Sequence, residues 1–267
     1  MIPAGERCAI VTGANKGIGL QIAKQLLPSV SLLILACRDA GRGEAAVKAL
    51  GGAPAVFEEL DISSESSIDA FAERIAEKYG KIDVLVNNAA IAFKAADPTP
   101  FKGQTKPTLH TNFHGTFRLT EKLLPLLSKS DDGALVNVAS MAGKLSQLSE
   151  SRQAQFASDE LTKEKLVSLV DEFEADVAAD AHKEKGWSSS NYGFSKLAVI
   201  AYTKILAREA PATLKVNCCC PGYCATDMSS HKGPRSADDG AKNAVMLALP
   251  GVPHSGVFIR DEKVAEW

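Results

Sequence analysis

A tyrosine and a lysine four residues apart, Tyr192 and Lys196 in Asn-Tyr-Gly-Phe-Ser-Lys, carry the most suggestive chemistry in this 267-residue chain. On a helix, side chains at i and i+4 stand one turn above the other on one face. A free phenol has a pKa near ~10 and is a poor proton carrier at neutral pH. A neighbouring ammonium favours the phenolate and is expected to draw that value down, towards acid–base use. Such a pair is common by chance, so its weight here comes from motifs upstream.

The first of these is Thr12-Gly13-Ala14-Asn15-Lys16-Gly17-Ile18-Gly19, which follows a strand-like run and opens a helical one. Its glycines permit a tight turn and a close backbone approach to a pyrophosphate seated on the helix N-terminus. The spacing Gly-x-x-x-Gly-x-Gly differs from the Gly-x-Gly-x-x-Gly of the ordinary dinucleotide fold. At the end of the second strand stand Arg38 and Asp39. A carboxylate there accepts from a ribose 2′-hydroxyl and repels a 2′-phosphate, whereas an arginine does the opposite. Arg38 and Lys16 would flank that phosphate from two sides, which points to NADP(H). In the competing reading Asp39 takes the ribose and Arg38 is a solvated charge.

The elements that must position these residues alternate. Cys8–Thr12, Leu32–Ala36, Ala55–Phe57, Val84–Asn87, Ala134–Val138, Lys215–Cys219 and Gly256–Ile259 read as strands. Continuous apolar runs such as Val84-Leu85-Val86 fit strands covered on both faces. Ile18–Leu27, Gly41–Leu50, Ser66–Tyr79, Leu109–Leu127, Tyr192–Glu209 and Ala237–Leu249 read as helices. This rhythm predicts an α/β fold: a Rossmann-type, doubly wound parallel sheet of about seven strands with helices on both faces. Neither an internal repeat nor a Gly/Ser linker interrupts it, so residues 1–267 read as a single domain. A stretch of 51 residues, 141–191, breaks the rhythm before the tyrosine. Its part from Thr162 to His182 has periodic apolar residues, Leu166, Leu169, Val170, Phe173 and Val177, and predicts one amphipathic helix. A segment this long inside a compact domain reads as a structured insertion.

Composition narrows the partners. Hydrophobic residues make up 45%, charged residues 23%, and the formal net charge is −2, which gives no electrostatic reason to expect nucleic acid or an anionic membrane. No apolar run approaches the ~18 residues of a membrane span. The first residues run straight into a strand pattern, which predicts no signal peptide. The six cysteines include three in a row, Cys218 to Cys220, and lack zinc-ligand spacing; the five histidines are scattered. No metal is expected, and the cysteines fit buried thiols in a reducing compartment, the cytoplasm.

Taken together, the glycine motif, Asp61-Ile62, Asn87-Asn88-Ala89-Ala90, Asn112, Ser140, Tyr192 with Lys196, and Pro221-Gly222 resemble the short-chain dehydrogenase/reductase family, in its order and over nearly the whole chain. Within that family the chain is similar to the monomeric, NADPH-dependent carbonyl reductases. That closer likeness rests on Asn15-Lys16, Ile91-Ala92-Phe93-Lys94, Asp97-Pro98-Thr99-Pro100-Phe101, Glu184-Lys185-Gly186-Trp187, the long segment before the tyrosine and the terminal Glu266-Trp267.

The resemblance implies reduction of a ketone, aldehyde or quinone with NADP(H). Tyr192 would be the general acid, Ser140 would hydrogen-bond the same carbonyl oxygen, and Lys196 would hold the nicotinamide ribose and lower the Tyr192 pKa. Two hydroxyl donors and a cation suit an oxygen on which negative charge develops. Asn112 would anchor a water that resupplies protons. Gly13, Asn15, Lys16, Gly17, Ile18, Gly19, Arg38, Asp61, Ile62, Asn88, Pro221, Gly222 and Thr226 would contact the cofactor. Phe93, Lys94 and Gln104 match a glutathione-binding groove; in the other reading Lys94 is solvated and Phe93 is a core residue. With Ser140 and Gly193 they are assigned to the substrate side, as is Trp187, whose other reading, like that of Phe194, is plain packing.

Two departures stand out. Ala90 replaces a family glycine, and Tyr223-Cys224-Ala225 lacks the arginine that the relatives carry after Pro-Gly. Two other functions fit the same motifs: an oxidative hydroxysteroid or secondary-alcohol dehydrogenase, and a non-catalytic NADPH-binding sensor. Folding of the amphipathic insertion over the chain's own dimerisation face predicts a monomer.

Overall fold

The structure is a computed structural model and describes residues 6–267, so the expectation about the extreme N-terminus lies outside the described residues. Strands β1 (Cys8–Thr12), β2 (Leu32–Cys37), β3 (Ala55–Glu59), β4 (Val84–Asn87), β5 (Gly133–Val138), β6 (Leu214–Cys220), β7 (Phe258–Arg260) and β8 (Lys263–Val264) form one sheet in the order β3-β2-β1-β4-β5-β6-β7-β8. The first seven are parallel, and β8 adds an antiparallel edge through Ile259–Val264 and Arg260–Lys263. That eighth strand escapes the sequence pattern because it is two residues long and exposed.

The helices are α1 (Gly17–Leu26), α2 (Ala40–Ala49), α3 (Glu65–Tyr79), α4 (Phe101–Leu109), α5 (Thr116–Leu127), α6 (Glu150–Ala157), α7 (Lys163–Ala178), α8 (Asn191–Glu209) and α9 (Ala237–Ala248). Strand side chains alternate between two cores. Cys8, Ile10 and Ile34 face the layer of α3, α5, α7 and α8, while Ala9, Val11 and Leu33 face α1 and α9. Between β1 and β4 the strand order reverses, which opens a crevice at the carboxyl ends of those strands.

Two helices depart from expectation. The sequence pattern begins a helix at Leu109, but the structure starts α4 at Phe101 and joins it to α5 through a π-helical turn, His110–Gly115. Pro100, Gly103 and Pro107 hide α4 from a reading by propensity. Helix α6 carries a single buried residue, Phe156, and so lacks a periodic stripe.

The insertion folds as its stripe requires. Leu166, Leu169, Val170, Phe173 and Val177 are all buried, and α7 packs on α4 and α8. Lys163 clamps it there, with Nζ 3.0 Å from Glu121 on α5 and 3.1 Å from Glu209 on α8. Covered in this way, α8 is buried along almost all of its length, which explains its weak amphipathicity.

Candidate active site

The crevice is built first by glycines. Gly13 (φ +64°) and Gly17 (φ +55°) take left-handed backbone that a side chain would strain. A Cβ on Gly19 would stand only 2.4 Å from the Gly13 carbonyl oxygen, so this position admits no side chain. Asn88 braces the same turn: its Nδ2 donates to the Thr12 carbonyl at 2.9 Å, and its N–H donates to Thr12 Oγ1 at 3.0 Å. Ala90 does not take a positive φ, so its methyl is tolerated where relatives have glycine. No side chain caps α1, which leaves its first N–H groups free for an anion.

At the tip of β2, Asp39 is committed to protein. It caps α2 by accepting from Arg42 N–H at 2.8 Å and pairs with the Arg42 guanidinium at 2.8 Å. Those bonds hold its carboxyl below the usual range. Arg38 beside it is exposed. Asp61 is fixed by Ser63, whose N–H and Oγ both donate to Oδ1 at 2.9 and 2.6 Å. Next to it Ile62 is buried and abuts the π turn, where a Cβ on Gly115 would lie 2.0 Å from the Ile62 carbonyl oxygen.

The reacting groups meet at the ends of β5 and α8. Ser140 follows β5 in extended backbone, and its Oγ accepts from Ala142 N–H at 3.1 Å. Ser190 caps α8, accepting from Gly193 N–H at 2.9 Å, and so fixes the start of the turn that bears Tyr192. Lys196 is buried, donates to the Val138 carbonyl at 2.8 Å, and stands 5.8 Å from the Tyr192 ring centre. Burial pushes the Tyr192 phenol up to about 12, opposed by the Ser140 side chain facing it, and brings the Lys196 ammonium down to about 8. Burial is the leading cause for the phenol, and the Ser140 hydrogen bond is the influence that lowers it.

Asn112 lies in the π turn, a form frequent at functional sites. Its Oδ1 accepts from Ile91 N–H at 2.8 Å, and its two amide protons go to the Ile91 carbonyl (2.9 Å) and Ser195 Oγ (3.0 Å). With both amide protons used, the side chain ties the loop after β4 to α8.

On the substrate side, Phe93 is half-buried and Lys94 exposed on the loop after β4, and Gln104 Nε2 donates to Thr99 at 2.7 Å to hold that loop's end. Trp187 does not join them. The residue is 4% exposed, and its ring packs on Phe156, Phe173 and Phe194 and donates Nε1–H to Asp176 at 2.7 Å. Phe194 is likewise interior, and both are core of the insertion. Gly193 is also buried, and a Cβ there would be 2.8 Å from the Ala142 carbonyl oxygen. Sequence reasoning missed Cys220, whose sulfur accepts at 3.3 Å from both Met141 N–H and Gly222 N–H. A cysteine among three consecutive ones carries no local signal of that role.

Residues 7–158 and 175–237 match the short chain dehydrogenase family. The chain belongs to that family. The unmatched residues 159–174 of this short-chain dehydrogenase fall within the insertion. It is 42% identical to carbonyl reductase (NADPH) 1 of Sus scrofa over 99% of this chain and 95% of that one. To carbonyl reductase (NADPH) 1 of Homo sapiens it is 41% identical, over 99% of each chain. Among solved structures, salutaridine reductase from Papaver somniferum superposes with a TM-score of 0.86 at 32% identity, covering 94% of this chain and 99% of that one. The glycine turn, the uncapped α1 and the exposed Arg38 of this short-chain dehydrogenase fit NADP(H). Among the described residues, no group of three or more His, Cys, Asp or Glu side chains lies close enough to hold a metal ion.

Proposed function

We propose that the chain is an NADPH-dependent carbonyl reductase acting on small ketones, aldehydes or quinones. The observation that carries this reading is the meeting of the buried Tyr192 phenol with the Ser140 hydroxyl, with Lys196 one turn further along α8. A general acid must hold its proton until charge develops on the acceptor oxygen. A nicotinamide cofactor held by the glycine turn, Lys16 and Arg38 would supply hydride for the carbonyl carbon. Tyr192 Oη donates its proton to the carbonyl oxygen, Ser140 Oγ donates a second hydrogen bond to it, and Lys196 stands behind the phenol to restore the proton. Identity of 41–42% over 99% of the chain to reductases named for NADPH supports the same reading.

Lys16 and Arg38 read the 2′-phosphate, since Asp39 is held by Arg42. Phe93, Lys94 and Gln104 form a candidate glutathione groove, supported by resemblance and by Gln104 on α4 holding the end of the loop that carries the other two. The protein is a monomer, a reading supported by α7 lying on α4 and α8. Its six free, buried thiols fit the cytoplasm. No helix among the described residues is long and apolar enough to cross a membrane.

NADPH absorbance followed with menadione, isatin, a ketosteroid and an aliphatic aldehyde tests the activity. Turnover with at least one is expected. Tight NADPH binding without consumption of any would leave a non-catalytic sensor.

A further inference from the structure

Residues 222–231, after β6, form a strap laid against the glycine turn. One end is anchored by Arg235, whose Nη1 meets the Pro221 carbonyl at 3.3 Å and Asp261 at 2.9 Å, and whose backbone pairs with Tyr223 and Ala225. Within the strap, Thr226 and Ser229 cap a short 3-10 turn reciprocally. A methyl on Gly17 would stand 3.6 Å from Thr226 Cγ2, so the strap touches the start of α1. Apolar burial holds it at Cys224, near one end, but not in its middle, where Met228 is 42% exposed. What ties its middle to the turn is an ion pair: Lys16 Nζ is 2.6 Å from Asp227 Oδ2, while the other carboxylate oxygen meets the His231 ring at 3.1 Å.

We infer that Asp227 and the cofactor's 2′-phosphate compete for Lys16, so that a phosphorylated dinucleotide exchanges the strap's tie for its own. The inference rests on the proposed reading of the phosphate by Lys16. With both side chains more than half exposed, the pair is weak and screened, and a dianionic phosphate flanked by Arg38 displaces it. Asp227 is then a specificity-determining residue that moderates the preference for NADPH over NADH. It keeps Lys16 engaged when no phosphate is offered, and it places strap opening under the control of the 2′-phosphate.

Calorimetry with 2′,5′-ADP and 5′-AMP on the wild type, D227N, K16M and the double variant tests this, with amide exchange over residues 223–232 as a second readout. D227N is expected to tighten 2′,5′-ADP about two- to five-fold, the scale of an exposed ion pair, and to leave 5′-AMP unchanged. The D227N gain should vanish in the K16M background, and 2′,5′-ADP but not 5′-AMP should speed exchange in the strap. If K16M leaves 2′,5′-ADP binding untouched, Lys16 does not read the phosphate and both ideas fall. If K16M weakens binding while D227N does nothing, or tightens both nucleotides alike, the phosphate reading stands and the competition is overturned.

Discussion

Asn112 Nδ2 donates to Ser195 Oγ at 3.0 Å, and Ser195 Oγ in turn donates to the Tyr192 carbonyl at 2.8 Å. The π turn is thereby tied to the helix that carries the acid. Since Asn112 also clasps both main-chain groups of Ile91, one residue joins the loop after β4, the π turn and α8. Ser195→Ala removes the middle of this chain and leaves an amide proton of buried Asn112 unpaired. A loss of about 1–3 kcal/mol in unfolding free energy is expected. A fall in kcat on the order of ten-fold, with the NADPH KM held within two-fold, should accompany it. Full kcat in that variant would limit the chain to a purely structural role.

Tyr192→Phe keeps the ring and removes the hydroxyl that faces Ser140. NADPH affinity should stay near wild type, while kcat falls by a factor on the order of 10²–10⁴, the scale of general acid–base catalysis. Fluorescence titration with NADPH and steady-state rates measure the two quantities separately. A variant with half the wild-type kcat would take Tyr192 out of the chemistry.

The Lys196 ammonium is lowered from an ordinary 10.5 to about 8 by burial. Between those values the unfolded chain binds more protons at this site than the folded one. Stability therefore gains as pH rises from about 8 towards 10.5, and the buried charge costs most below 8. Urea unfolding from pH 7 to 10, with Lys196→Met as reference, should show the wild type gaining on the variant at a slope approaching about 1.4 kcal/mol per pH unit. A flat difference would mean that Lys196 titrates in the folded protein as it does in water.

Cys220 supports two turns at once, since its sulfur accepts from Met141 next to Ser140 and from Gly222 next to Pro221. Cys220→Ser retains an acceptor of similar size, whereas Cys220→Val does not. The serine variant should keep most of kcat and the valine variant should lose it together with about 1–2 kcal/mol of stability. Equal behaviour of the two in thermal melts and rates would show that the sulfur contacts are incidental.

Trp187 is placed in the interior, and Asp176 that binds it is held below the usual carboxylate range. Burial works to raise the Asp176 pKa, but hydrogen bonds from Lys185 and Trp187 outweigh it. Its stabilising contribution is present above the ordinary carboxylate pKa and is lost as pH falls through the lowered one. Asp176→Asn should lower stability at pH 7 by about 1–3 kcal/mol and flatten the acid limb of unfolding. Trp187→Phe should likewise destabilise, with the carbonyl KM changed less than two-fold. A large KM shift in Trp187→Phe would return that ring to the substrate wall.

Much of this molecule is written locally. The glycine turn, the apolar strands, the Tyr192–Lys196 spacing and the stripe from Leu166 to Val177 are signals of one or two turns of chain, and each is legible because backbone sterics and burial act at that range. The folded chain alone decides the rest. Pro107 and the small residues of α4 mask a helix that α7 and α8 hold in place. A π turn sets Asn112 so that its amide reaches Ile91 and Ser195, and no propensity announces it. Lys16 meets Asp227 across 211 positions, and Cys220 reaches Met141 across 79. The phenol's surroundings are decided at the same level: spacing sets a lysine one turn away, but only the packed tertiary structure determines how much water is removed from the hydroxyl.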